Sequence, residues 1–590
     1  MKKLIINPKK ISLDDNDENI FLQNFFLNYL NKDQKQKINY TTLPKKNFDI
    51  SSEIKEIKHN REFYDEILRE LFPILNKLNK INWDYKTWNF FIGQWLNFYV
   101  AVIRNRIDLI KPVINSDINY EEQLRIGKDT SLTCNDVRDF TYNCSFIEWN
   151  EKLFSRILYI MHTQNFSNDS NLLNSLNNHQ AKKESFFNKA LYAVRINIIK
   201  FCERLICSKN NYVFYNSYIN DKFKLFKIIL KLQDIPFIYS FAFFNKKIIK
   251  KEINISLRKK IKIKFESKNL DIKILKFLLI ELLPTIYLEG FQLQKKLADN
   301  SHLPKKIKKV FISHAYTDNS FKFWLAERIN NGTRIMHGQH GAGPNIYKEF
   351  HGEFHEVNVA EKYFIWGQKS NNKKMIPVGN YLINKKNKTK PLNSKNFLLV
   401  LPTANIFKRD ANIYHSNALS EDIEECQKFI DSLDQGLLNF MSVRNHPQIT
   451  RRELDFLKFI SFDKKKIIKT NSNITFDKSI KNQGVIIFNY LSTEFFKLMS
   501  LNIPCILLLN KNMFDNFFIE EVRNDFNKLT DIKIVHTNGT SLAKHINKFF
   551  NNTDNWWNNE KTNKVKNEFC LKYSDQNFNT QLFVNELNKL

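Results

Sequence analysis

Apolar positions along this chain keep a helical period over its first third and then change to short runs. Phe63, Ile67, Leu71, Ile74, Leu75 and Leu78 recur at three- and four-residue steps. Trp88, Trp95 and Ile107 continue the pattern. This spacing predicts helices across Ile54–Ile110, with Pro73 bending or starting one of them. Helical patterns return at Trp149–His162 and Phe186–Leu205, and Asp117–Glu148 reads as loop. Ahead of them, Leu4-Ile5-Ile6 predicts a strand. Ser12-Leu13-Asp14-Asp15 predicts a cap before an apolar helix over Ile20–Leu30.

After Leu205 the apolar residues gather into strand-length runs. Ile235–Tyr239 and Ile261–Phe265 come first, then Val310–Ile312, Tyr363–Gly367 and Met375–Gly379. Asn384–Ser394 is polar and contains Pro391, which predicts a linker. A second series follows at Phe397–Leu401, Leu438–Val443, Lys466–Lys469, Val485–Asn489, Cys505–Leu509 and Ile532–Val535. Helical patterns fall between some of these, at Asp422–Leu433 and Thr493–Leu501. Strands alternating with helices predict an α/β fold with doubly wound parallel sheets. The expected division is 1–390 for a first domain carrying a helical insertion at about 54–205, and 395–553 for a second. A terminal helix over 554–590 is expected to cross back to the first domain, with Trp556 and Trp557 pinning the two together. Two such sheets joined by a linker create a cleft where ligands bind.

Composition narrows the class. A chain of 590 residues with 43% hydrophobic residues and 52 Phe has ample core for two or three domains. Seven scattered Cys form no disulfide framework, which fits a reducing cytoplasm. The N-terminal Met1–Pro8 lacks the apolar stretch of a signal peptide. Ile274–Leu293 contains Lys276, Glu281, Pro284 and Glu289, so it predicts a buried helix and turn rather than a membrane span. The net charge of +30 admits nucleic acid, an anionic membrane face or a phosphorylated substrate as partner. From Lys246 to Lys309 there are 18 basic and 6 acidic residues, a candidate for peripheral contact at the inner face of a membrane or simply a solvated face. No zinc finger or nucleic-acid-binding signature accompanies it, so no nucleic-acid partner is expected.

Candidate chemistry concentrates in three places. Between His337 and Gly343 lie two His and three Gly of the 13 of each in the chain, directly after an apolar segment. Gly allows backbone N–H groups close to a phosphate or sugar, and His transfers protons near neutral pH. A metal site on His337, His340, His351 and His355, or a loop with incidental histidines, is the alternative. Second, Ser442-Val443-Arg444-Asn445-His446-Pro447 ends a strand, where Arg444 and His446 could grip a phosphate or merely pair with a surface carboxylate. Third, Ser492-Thr493 follows the strand Val485–Asn489 and should cap the next helix. Free N–H groups and hydroxyls there suit a phosphate, although a plain cap has the same sequence.

Several of these segments carry a resemblance. Trp88–Leu96, Gln339-His340-Gly341 with Glu353-Phe354-His355-Glu356, Trp366-Gly367, Asn489–Thr493 with Asn502-Ile503-Pro504, and Trp556-Trp557 resemble a family of bacterial transferases encoded among surface-carbohydrate genes. The resemblance covers nearly the whole chain. More distantly the chain is similar to teichoic acid glycerophosphotransferases and capsule Kdo transferases. That implies a GT-B-like architecture of two Rossmann-like domains with a nucleotide-activated donor between them, and no cofactor or metal. It implies His340, or its neighbour His337, as the base, and Arg444, His446, Ser492 and Thr493 around the donor phosphate. Gln339, Gly341, Glu353 and Glu356 would serve the acceptor or the loop. The implied activity is transfer of a sugar, for which a CMP-linked donor is one candidate, onto a surface glycan such as lipopolysaccharide O-antigen or capsule, with a glycan or lipid-linked acceptor. Transfer of glycerol phosphate, or a non-catalytic glycan- or nucleotide-binding scaffold, is the alternative. Gln339 departs from the aromatic residue those enzymes have before the His.

Overall fold

The structure is a computed structural model. It describes residues 1–11, 17–43, 50–128, 130–164, 211–219, 221–240, 252–263, 269–314, 318–368, 370, 372–384, 395–402, 405–408, 416–446, 456–461, 468–469 and 474–589. The expected helix Phe186–Leu205 and all of the expected linker except Asn384 lie outside these residues.

Strands β1 (Lys2–Ile5), β2 (Glu18–Phe21) and β3 (Tyr40–Thr42) form a small parallel sheet. Here the sequence expectation of a helix over Ile20–Leu30 is corrected. Ile20 and Phe21 pair on both sides, with Leu4 and Ile5 and with Thr41 and Thr42, and are buried. Only a 3-10 turn, Asn24–Tyr29, follows. Tertiary pairing outweighs the local helical pattern.

Two long helices come next, Ile50–Asn79 and Tyr85–Ile114. The first runs through Pro73 rather than starting there. Asp84 caps the second by accepting from the Thr87 N–H at 2.7 Å. The expected loop Asp117–Glu148 also holds two helices, Glu121–Lys128 and Val137–Asn143. Asp136 caps the latter through the Asp139 N–H, a signal the loop assignment overlooked.

Strands β4 (Tyr212–Tyr215), β5 (Phe237–Tyr239), β6 (Lys309–Ile312), β7 (Arg334–Gly338), β8 (Lys362–Ile365) and β9 (Met375–Pro377) form one all-parallel sheet in the order β5-β4-β6-β7-β8-β9. Ile261–Ile263, expected within a strand, belongs to neither large sheet. Strands β10 (Phe397–Val400), β11 (Met441–Arg444), β12 (Ile468–Lys469), β13 (Val485–Phe488), β14 (Cys505–Leu508) and β15 (Val535–His536) form the other, in the order β12-β11-β10-β13-β14-β15. Both orders reverse next to the first strand of the sheet, between β4 and β6 and between β10 and β13. Such switch points open a crevice at the carboxyl ends of doubly wound sheets. The central strands are continuous apolar runs such as Phe397-Leu398-Leu399-Val400, as burial on both faces requires. The fold is α/β, with two Rossmann-like domains.

The helical region touches both domains, whereas it was expected to belong to the first alone. Trp88 and Phe91 pack on Phe291 and Phe323. On the other side Phe26 and Phe154 pack on Phe407, and Arg106 donates to the Lys408 carbonyl at 2.6 Å.

The C-terminal segment is three helices, Thr553–Trp557, Glu560–Tyr573 and Thr580–Asn588. Trp556 and Trp557 are buried but donate to the Ile532 and Asn502 carbonyls, so they anchor the second domain and not the junction. Contact with the first domain begins later. The Asp575 N–H donates to the Trp366 carbonyl at 3.0 Å, and Phe583 packs on Phe311 and Phe364. A Cβ on Gly367 would lie 1.8 Å from the Lys572 carbonyl oxygen, so only glycine lets these backbones meet.

Candidate functional site

The loop after β7 leaves the first sheet and reaches the second domain. The Lys348 N–H donates to the Phe517 carbonyl at 2.9 Å, and the Ile519 N–H to the Ile346 carbonyl at 3.1 Å. Gln339 shapes this loop from inside. Its Oε1 accepts from the Trp366 N–H, its Nε2 donates to the Gly341 carbonyl, and its own carbonyl accepts from the Tyr381 hydroxyl. Glu353 accepts from the Asn345 N–H at 2.8 Å and fixes the far end of the loop. A Cβ on Gly341 would meet nothing within 4 Å, so the loop is open at that point. A small, partly open pocket lies where the loop meets the second domain. Its walls are Gln339, Ala342, Asn345 and Trp366 on one side and Phe496, Lys572 and Tyr573 on the other.

Four imidazoles gather beside this loop. His337, on β7, is fully buried and stacks on Tyr363 with ring centroids 5.4 Å apart. Burial, and then the other imidazoles, hold its pKa well below the ordinary value. His340 has a side chain about 30% exposed. Its ring lies 6.2 Å from that of His337 and 5.2 Å from that of His314. His314 follows β6, and burial, helped by Arg138, lowers its pKa to about 4. His355 is buried on the helix His351–Val359.

Glu356, on that same helix, stands between two of the rings. Its Oε2 is 3.6 Å from His337 Nδ1 and its Oε1 is 3.6 Å from His340 Nδ1. The Tyr363 hydroxyl donates to Oε2 at 3.0 Å. Burial pushes the Glu356 carboxyl well above the ordinary carboxylate range. His337 is likewise shifted toward neutrality, so burial favours the neutral form on both sides of the Glu356–His337 contact. The arrangement is a partly exposed imidazole with a carboxyl behind it, itself oriented by a tyrosine. That is how general bases are held, and such contacts tighten when substrate binds.

Across the junction, Ser492 caps the helix Thr493–Ser500, its Oγ accepting from the Phe495 N–H at 3.1 Å. Thr493 is the first helical residue, and Phe496, one turn on, lines the pocket. His446 is partly exposed, its ring 6.4 Å from that of Tyr490. Arg444 departs from expectation. It is 3% exposed, and its guanidinium donates to Ser479 Oγ at 2.5 Å and to the Ile474 carbonyl at 2.7 Å. It was expected beside the donor phosphate with Ser492 and Thr493, but its donors are engaged inside its own domain. Strand register explains this. Arg444 aligns with Val400 and Phe488, so it points to the face covered by Phe476–Ser479.

Three side chains went unrecognised in the sequence. His314 is the second residue after an apolar strand, which was a usable signal. Tyr218 stacks near His340 at 6.5 Å, but β4 is a four-residue run without alternation and gave no warning. Asn489 directly follows β13 and is 1% exposed, with neither carboxamide atom hydrogen-bonded. Among the described residues no group of His, Cys, Asp and Glu is arranged to hold a metal ion.

A family model for LIC12162 family transferases matches residues 2–586. The chain belongs to this family of transferases. No curated protein matches it in sequence. Solved structures give only loose superpositions. MurG of Acinetobacter baumannii shares 12% identity at a TM-score of 0.29, covering 64% of this chain and 100% of its own. A Listeria monocytogenes protein described as a UDP-N-acetylglucosamine 2-epimerase shares 12% at 0.34, covering 65% and 97%. The UDP-forming trehalose-phosphate synthase of Burkholderia vietnamiensis shares 10% at 0.30, covering 51% and 78%. The fold assignment of this transferase rests on its own strand orders.

Proposed function

We propose that this transferase moves a sugar from a nucleotide-activated donor, with a CMP-linked donor as one candidate, to a hydroxyl of a growing surface glycan such as lipopolysaccharide O-antigen or capsule. The observation that carries this reading is the partly exposed His340 backed by Glu356, at a loop that continues into a pocket shared with the helix beginning at Thr493. His340 takes the proton from the attacking acceptor hydroxyl, and Glu356 orients the ring by accepting from Nδ1. His337 has no surface and acts only through Glu356.

The donor phosphate sits at the N-terminus of the helix Thr493–Ser500. There the first N–H groups, the Thr493 hydroxyl and His446 supply fixed donors, and the helix end favours negative charge. Ser492 Oγ accepts from Phe495 and still has a proton to give. Arg444 supports the site from behind. The Asn489 carboxamide offers one acceptor and two donors. A phosphate has no proton to give at neutral pH and satisfies only the donors, so Asn489 fits a sugar hydroxyl next to the phosphate. Leaving-group charge is met by these donors and the helix end. The nearest variant of this chemistry is glycerophosphate transfer from a CDP-linked donor, which uses the same phosphate subsite.

Thermal-shift titration with CMP-, CDP-, UDP- and GDP-linked donors tests the reading, since a ligand that binds the folded state raises Tm by mass action. One nucleotide class should raise Tm in the parent and less so in Asn489→Leu. Stabilisation by CDP-glycerol alone selects the glycerophosphate variant. No shift with any of the four classes sinks the proposal.

A further inference from the structure

The helix Lys222–Leu232 follows β4 and is capped by Asp221, whose carboxylate accepts from the Phe223 N–H at 2.9 Å. Its inner face is apolar: Ile228 and Leu232 are buried, with Leu225 packed beside them. Its outer face is apolar as well. Phe223, Phe226 and Leu230 are 58%, 54% and 60% exposed. At about 100° per residue these three form one stripe, on the side of the helix away from Ile228 and Leu232. Exposed lysines border it, Lys222 along one edge and Lys227 and Lys231 along the other. Lys227 Nζ lies 4.5 Å from the centre of the Phe223 ring. Single exposed apolar residues are ordinary, but three large ones in line on a solvent face are not.

We propose that this face docks on an anionic membrane surface, with Phe223, Phe226 and Leu230 entering the boundary between headgroups and acyl chains and Lys222, Lys227 and Lys231 meeting lipid phosphates. Charge selects this occupant. The chain carries a net +30, and the stripe is bordered by lysines, which attracts anionic headgroups and disfavours the same basic face of a second copy. Size selects it too. At roughly 200 Å² for a whole aromatic or leucine side chain, the three expose about 300 Å² between them. A stable protein interface needs about 800 Å² from each partner. Lysine stems can lie along the apolar stripe while their charges stay in water, as a bilayer boundary requires.

Position gives the docking a use. Tyr218, which stacks near His340, precedes the cap Asp221 by three residues. The stripe therefore starts at the same carboxyl edge of the sheet as His340 and runs down about 10 Å, at 1.5 Å per residue. Docked in this way, the mouth of the site lies at the bilayer surface, where a lipid-linked acceptor presents its glycan. That use rests on the transferase function proposed above, while the docking itself does not. No helix among the described residues is long and apolar enough to cross a membrane.

Co-sedimentation of the full chain with vesicles tests the proposal. Phosphatidylcholine vesicles are compared with vesicles holding roughly one-third phosphatidylglycerol, and the anionic ones should bind about tenfold tighter or more. Phe223→Ser combined with Phe226→Ser and Leu230→Ser should weaken that binding by more than about tenfold. Lys222→Glu combined with Lys227→Glu and Lys231→Glu should remove the preference for anionic lipid. All six side chains face solvent, so circular dichroism and donor-induced thermal shift should match the parent; that keeps a failure of docking distinct from a failure of the transferase function. No sedimentation of the parent, or equal sedimentation of the apolar triple variant, overturns the proposal. So does a concentration-dependent dimer that the triple variant abolishes, since it assigns the face to a second copy.

Discussion

The two sheets present opposite chemistry at the same architectural position. At the carboxyl edge of the first, His314, His337, His340 and His355 gather near Glu356, which contacts His337 and His340, and burial drives His314, His337 and Glu356 toward their neutral forms. At the carboxyl edge of the second, a helix N-terminus and an unpaired amide dominate, and the Arg444 guanidinium is turned into its own domain. The first edge is suited to moving a proton and the second to holding an anion. Under the function proposed above, the two crevices divide a two-substrate reaction, because a switch point supplies space and the side chains that end its strands supply the chemistry.

The largest test of that division is His340→Ala. Turnover should fall by roughly 10²- to 10⁴-fold, the usual worth of a general base, while donor affinity by calorimetry stays nearly unchanged. Loss of donor binding in this variant would falsify the separation of roles.

Next in size is the strap that holds the two edges together. Phe583 is fully buried against Phe311 and Phe364, so Phe583→Ala should cost about 3–5 kcal/mol by chemical denaturation. A loss under about 1 kcal/mol would show that the C-terminal helix contributes little to domain alignment.

Asn489→Leu probes the anion side more finely. An unpaired buried amide replaced by an apolar group of similar shape leaves Tm unchanged or raises it, while donor affinity falls about five- to tenfold. A marked drop in Tm would mean that the amide is satisfied in the free protein by a buried water, and that its part in donor binding is lost.

The smallest effects concern pH. His314 has a folded pKa of about 4 against an ordinary 6.5, so unfolding takes up a proton between these values. Its contribution to stability is full above pH 6.5 and is lost as pH falls toward 4. Glu356 works in the other direction: its folded pKa is raised, so its contribution is full below the ordinary 4.5 and is lost as pH rises above that. The Tm advantage of Glu356→Gln over the parent should therefore grow from pH 4.5 upward. An advantage that is flat, or that shrinks, would show Glu356 to be ionised in the folded protein.

Much of the architecture was legible in the chain. Runs such as Val485-Ile486-Ile487-Phe488 and Cys505-Ile506-Leu507-Leu508 announce buried parallel strands, and the helical spacing from Phe63 to Leu78 announces the long helices. Ser492 caps its helix, as a serine just before an apolar helical pattern predicts. Local spacing sufficed in these cases because apolar period and cap chemistry act within a few residues.

What lay beyond the sequence depends on contacts between distant segments. Ile20 and Phe21 became a strand because β1 and β3 lie on either side of them. The direction of Arg444 followed from its register with Val400 and Phe488, and Trp556 and Trp557 found their partners inside the second domain. The sequence supplied His340 and Glu356 as candidates sixteen positions apart, and only the packing of the helix His351–Val359 beside β7 put one behind the other. Composition and period specify which elements form. Burial and register, set by the whole molecule, decide which side chains keep water, which lose it, and therefore which can do chemistry.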